Sequence, residues 1–151
     1  MTVSVTLFLM VCLLSAPMGV CRAELAFDGP LRVEVSTGWA SQYAPGVMGR
    51  VVSRQQRLGR LPANVEKFSG FIAVQQCSGV GNYYLLRPLG AEQWELFAAA
   101  DCAGPHLRED GLTGYQWMLY NNVLVEVDYE TAKRWDTVGR GIKVEMVEVG
   151  G

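Results

Sequence analysis

The chain has 151 residues, 50% of them apolar, with 13 basic and 15 acidic side chains and a net charge of -2. That is apolar material for a single ordinary core, and nothing in the composition calls for a second globular domain. The near-balanced charge supplies no long-range positive field, which disfavours nucleic acid as a partner.

From Val3 to Val20 the chain is an apolar run broken only by small polar residues and Pro17. It reads as a signal peptide over residues 1–23, with cleavage after Ala23. Its core, Val5 to Leu14, is too short to span about 30 Å of hydrocarbon. The first residues carry no Lys or Arg, so a retained membrane anchor stands as the alternative, and a lipid-modified Cys21 as a second one. Export puts the mature chain outside the cytoplasm, secreted or in the cell envelope, with no stable membrane insertion after cleavage.

Export also decides how the cysteines read. Cys12 and Cys21 leave with the signal, and Cys77 and Cys102 remain in an oxidising compartment where pairing is the default. The expected bond is Cys77 to Cys102; two unpaired buried thiols are the alternative. With one histidine, His106, and two distant cysteines, no zinc-type spacing exists, and neither metal nor other cofactor is expected.

Past Glu24 the chain alternates short β-patterned runs with turn signals. A lead-in strand is expected within residues 24–36, at Leu31–Val35. Further strands are predicted at Phe71–Val74, Tyr83–Leu86, Trp94–Phe97, Val123–Val127 and Ile142–Val147, for five to seven in all. Ser78–Asn82, Pro88–Gly90 and Asn121-Asn122 supply turns. Gly49–Glu66 shows no clear period and reads as a long surface crossing. Its Arg50, Arg54, Arg57 and Arg60 are solvated or form a basic rim facing a ligand. Asp128–Trp135 starts with a capping aspartate, has Glu130 in its first turn and stops before Gly139, which predicts a short helix ahead of the last strand.

Three motifs, in order, carry a resemblance. Gly38-Trp39-Ala40-Ser41-Gln42-Tyr43 resembles the opening Gly-x-Ala-Ser-x-Tyr of RlpA-like double-psi β-barrels, the superfamily of expansins and barwin-like proteins. Ala100-Asp101-Cys102-Ala103-Gly104-Pro105 falls where those proteins carry an Asp-x-Gly-Pro or Asp-x-Cys turn. Val127-Asp128-Tyr129-Glu130-Thr131-Ala132 lies where they open a short helix. The resemblance covers residues 37–148 and implies a mostly β fold, a six-stranded double-psi β-barrel with one short helix before the last strand. A Cys77–Cys102 bond is similar to the pairing of the barwin and expansin branch.

The implied partner is a cell-wall polysaccharide, a peptidoglycan-like glycan. Asp101 is the expected general acid, since a carboxyl group beside apolar residues can deliver a proton to a leaving glycosidic oxygen. The competing role is structural, accepting backbone N–H bonds in its turn. Asp128 is the candidate second carboxylate, or else the cap of its helix. Trp39 and Tyr43 are the candidates for stacking on sugar, and Arg50 for contacting substrate. The chain departs from the family in two respects that bear on catalysis: no histidine precedes Leu61-Pro62, His106 standing elsewhere, and where the endoglucanases of the superfamily carry a further aspartate after the opening tyrosine this chain reads Gln42-Tyr43-Ala44-Pro45. A non-catalytic expansin-like barrel or a protein-interaction barrel is the alternative function.

Overall fold

The computed structural model describes residues 34–150. The signal-peptide reading, Cys12, Cys21 and the lead-in strand as far as residue 33 lie outside the described residues. Six strands form a closed barrel: β1 (Ser36–Gln42), β2 (Gly70–Val74), β3 (Tyr83–Pro88), β4 (Glu95–Cys102), β5 (Val123–Val127) and β6 (Ile142–Gly150). Around the barrel the order is β1-β5-β2-β4-β3-β6, with β6 pairing back to β1. The pairs β1/β5 and β2/β4 are parallel and the other four antiparallel. Only β3 and β4 are neighbours in both chain and sheet, so nearly all of the closure is long-range.

Alternation builds the interior. Ile72 and Val74, Tyr84 and Leu86, Phe97 and Ala99, Val125 and Val127, with Ala40 and Val144, point inward as one buried cluster. Ala132, from a short helix α3 (Tyr129–Arg134), joins that cluster, and Trp135 beside it meets the Phe97 ring edge-on at 5.8 Å. This is the expected helix before the last strand, with Asp128 as its cap.

A second buried cluster lies on the outer face of β4. Ala98 and Ala100 pack there against Met48 and Val52 of helix α1 (Val47–Arg57), and against Leu61 and Phe68. Phe97, Ala98, Ala99 and Ala100 are all fully buried. A strand covered on both faces needs small side chains on at least one, which accounts for the alanines.

The structure corrects the expected organisation in three places. Among the described residues the first strand starts at Ser36, and Glu34 and Val35, the described end of the expected lead-in strand, are exposed and outside any strand. The stretch read as a surface crossing from Gly49 contains most of α1, whose buried positions Met48, Val52 and Gln55 recur at helical spacing. Its arginines and Gly49 mask that period. A further helix, α2 (Gly114–Tyr120), precedes β5; Thr113 accepts from the Gln116 N–H while the Gln116 side chain accepts from the Thr113 N–H. That capping box is written in the sequence as Thr-x-x-Gln. Cys77 opens a 3-10 turn (Cys77–Gly79) and is bonded to Cys102 at the end of β4, with Cα atoms 4.9 Å apart.

Candidate functional site

A β-bulge aims Asp101. Along β2/β4, Ile72 pairs with Ala99 but Ala73 pairs with Asp101, so Ala100 is the extra residue. Ala99 faces the interior, Ala100 faces outward, and the bulge keeps Asp101 on the outward side with its partner Ala73. On the other edge of β2, Ala73 pairs with Glu126 of β5, and Glu126 pairs with Ser41 of β1. Ser41, Glu126, Ala73 and Asp101 thus form one row across four strands, with a fully buried alanine between two acids. Strand spacing puts the two acidic backbones about 9.5 Å apart.

The two acids of the row line an open cleft of about 420 Å³, together with Tyr43, His106, Arg108 and Trp117 among others. The Tyr43 hydroxyl donates to Asp101 Oδ2 at 2.8 Å, and the Ser41 hydroxyl donates to Glu126 Oε1 at 3.2 Å. Burial pushes the Glu126 carboxyl above the ordinary glutamate range and the Asp101 charge pushes the same way. The Ser41 hydroxyl and the Arg108 guanidinium oppose that rise without cancelling it. Tyr43 is held well above the ordinary phenol range by burial first, then by its hydrogen bond to Asp101.

The far wall comes from the segment after β4. Gly114, the first residue of α2, packs directly on the turn at Ala103 and Gly104; a Cβ there would meet Gly104 backbone atoms at 3.1 and 3.2 Å. Leu107 bridges to Thr113, closing a small hairpin that carries Arg108. The Arg108 guanidinium lies 4.4 Å above the Trp117 ring and 3.5 Å from the Asp110 carboxylate. The wall therefore presents a cation layered on an aromatic face.

Of the residues singled out from the sequence, Tyr43 and Asp101 come together here, Cys102 lines the same cleft, and His106 stands at its rim. Asp128 does not join them. It is buried, its Oδ1 accepts from the Thr131 N–H at 2.7 Å and its Oδ2 from the Phe71 N–H at 2.6 Å, so both oxygens hold backbone. Trp39 is 40% exposed on β1 with Lys143 5.8 Å from its ring, and does not line the cleft. Arg50 lies on the exposed face of α1, also outside it.

Sequence reasoning missed Glu126 and Arg108, and took Trp117 as packing against the barrel. For Glu126 a signal existed: it is the only ionisable residue of Val123-Leu124-Val125-Glu126-Val127, opposite in parity to the core valines. Nothing local marks it as the partner of Asp101.

A second cleft of about 340 Å³ holds one carboxylate, Glu148, which accepts from Asn82 at 2.6 Å. It lacks a second acid, and the paired carboxylates single out the first cleft. Among the described residues no cluster of three His, Cys, Asp or Glu side chains is arranged to hold a metal ion. No family model matches the chain, and neither a curated protein nor a solved structure matches it.

Proposed function

We propose that this barrel binds a cell-wall-type polysaccharide outside the cytoplasm and cleaves its glycosidic bonds by acid–base chemistry, in the manner of the RlpA-like double-psi barrels it resembles. The observation that carries the reading is the row placing Asp101 and Glu126 on one open face with a single alanine between them. Hydrolysis needs a proton on the leaving oxygen and a second carboxylate on the other side of the sugar, whereas transglycosylation, in which a hydroxyl of the substrate attacks, can run on a single acid–base group. Glu126, with its carboxyl raised by burial, suits the donor; Asp101, positioned by Tyr43, suits the base or charge-stabilising partner. This moves the acid role from Asp101, where the family turn puts it, to the residue two strands away. Two acids on one row, separated only by Ala73, supply the pair of carboxyl groups that hydrolysis uses. Trp117 and Arg108 offer an aromatic face and a cation to the sugar and its substituents.

Family likeness is supported by the six-stranded mixed barrel, the bonded Cys77–Cys102 pair and the helix capped by Asp128. A second reading, glycan binding without cleavage as in expansins, is favoured by two observations. The Asp101 carboxylate is already engaged by the Tyr43 hydroxyl, and no histidine precedes Leu61-Pro62.

The test incubates the mature protein with peptidoglycan and with β-linked glucans and reads soluble fragments by mass spectrometry. New reducing ends mark hydrolysis and anhydro ends mark transglycosylation. Asp101→Asn and Glu126→Gln are each expected to lower release by about 10² to 10⁴-fold. Retained pull-down on the same glycans with no wild-type release would establish the non-catalytic reading, and neither release nor pull-down would remove both.

A further inference from the structure

The arginines of the described residues divide into two groups. Arg87, Arg108, Arg134 and Arg140 each have a carboxylate partner. Arg50, Arg54, Arg57 and Arg60 have none among the described residues, and all four are exposed. Along α1, Arg50, Arg54 and Arg57 follow at i, i+4 and i+7, so they fall within about 60° of one another on the helical wheel. The buried positions Met48, Val52 and Gln55 occupy the opposite face. The helix is held down by its apolar side and presents an arginine stripe outward, and Arg60 is exposed three residues beyond the end of the helix.

No acidic residue lies between Glu34 and Glu66. The four arginines carry +4 in a chain whose net charge is -2, which leaves -6 on the rest. Charge segregated in this way onto one exposed helix and the turn that follows it is not a solubility device, since interspersed signs serve that purpose. Guanidinium groups bind carboxylate and phosphate through paired N–H donors, and the stripe repeats them at axial steps of about 6 and 4.5 Å. The stripe also starts close to the cleft: Tyr43, which holds Asp101, is four residues ahead of the first residue of α1.

We infer that the outer face of α1 is a docking surface for a linear anionic polysaccharide, one carrying a carboxylate or phosphate on successive sugar units. Nucleic acid fits less well. There is no aromatic residue between Tyr43 and Phe68 on which a base could stack, and the -6 carried by the rest of the chain repels a strand of high charge density. The inference does not depend on cleavage in the cleft, because the stripe and the cleft share no residue.

The experiment measures binding of the mature protein to polygalacturonate, as the carboxylate probe, and to a phosphate-substituted mannan, with neutral dextran and duplex DNA in parallel. Wild type is expected to bind one or both anionic glycans, not dextran, and to lose affinity as salt rises from about 0.05 to about 0.5 M. The triple variant Arg50→Gln, Arg54→Gln, Arg57→Gln should weaken that binding about tenfold or more. Lys133→Gln, Arg140→Gln, Lys143→Gln removes the same charge elsewhere and should bind as wild type does. The α1 changes are solvent-facing, and an unaltered thermal transition checks that the fold is kept. The idea is overturned if both triple variants bind alike, if wild type ignores both anionic glycans, or if DNA competes them off at equal charge.

Discussion

At the scale of the residue, Glu126 makes a claim about pH. Burial and the Asp101 charge favour its neutral form in the folded protein, so folding raises its proton affinity above that of the unfolded chain. The stability tied to that proton is complete below the ordinary glutamate range and is lost as pH rises through the raised value. Glu126→Gln, neutral at every pH, should therefore be the more stable protein at about pH 8 and should lose that advantage at about pH 4, as urea unfolding at the two pH values would show. Cleavage should follow the same titration. Its rate is expected to fall on the alkaline side as Glu126 gives up its proton, and loss of that limb in Glu126→Gln would assign it. A limb that survives the substitution would belong to another group.

At the scale of the element, Asp128 ties a helix to a strand. It caps α3 with one oxygen and holds the Phe71 N–H, at the start of β2, with the other. Gly70 has no room for a side chain because Asp128 Oδ2, Thr131 Oγ1 and Phe97 already fill the space. Asp128→Ala should cost about 3 kcal/mol in chemical denaturation, roughly 1 from the lost cap and the remainder from an unsatisfied buried N–H. The cap was legible because an aspartate ahead of Tyr-Glu-Thr-Ala carries its own local signal. Helix α1 was not. Its N-cap is Gly46 at φ 72 without a side-chain cap, it has no acid in its first turn, and its three arginines match in number the apolar residues, Met48, Val51 and Val52, that pack on its buried side. Only the β4 face it covers, built from Ala98 and Ala100, selects helix there.

At the scale of the whole molecule, the disulfide and the barrel topology act together. The Cys77–Cys102 bond closes a loop of 25 positions that contains β3 and most of β4, for which chain entropy gives roughly 3.5 kcal/mol. Reduction is expected to lower stability by about that much, read as a shift of the urea midpoint with and without reductant. A shift under about 1 kcal/mol would mean that the long-range pairings hold the loop without it. The places of the strands after residue 70, though not the run of β4 beyond Phe97 to Cys102, the bonded cysteines and the cap at Asp128 followed from the sequence, because alternation, cysteine count and capping are local or compositional signals. The functional pair did not. Asp101 and Glu126 are joined through Ala73, which belongs to a third strand far from both in the chain, and Asp101 faces the cleft only because Ala100 bulges. Which acids share a face is set by strand order and register, and those are fixed when the barrel closes.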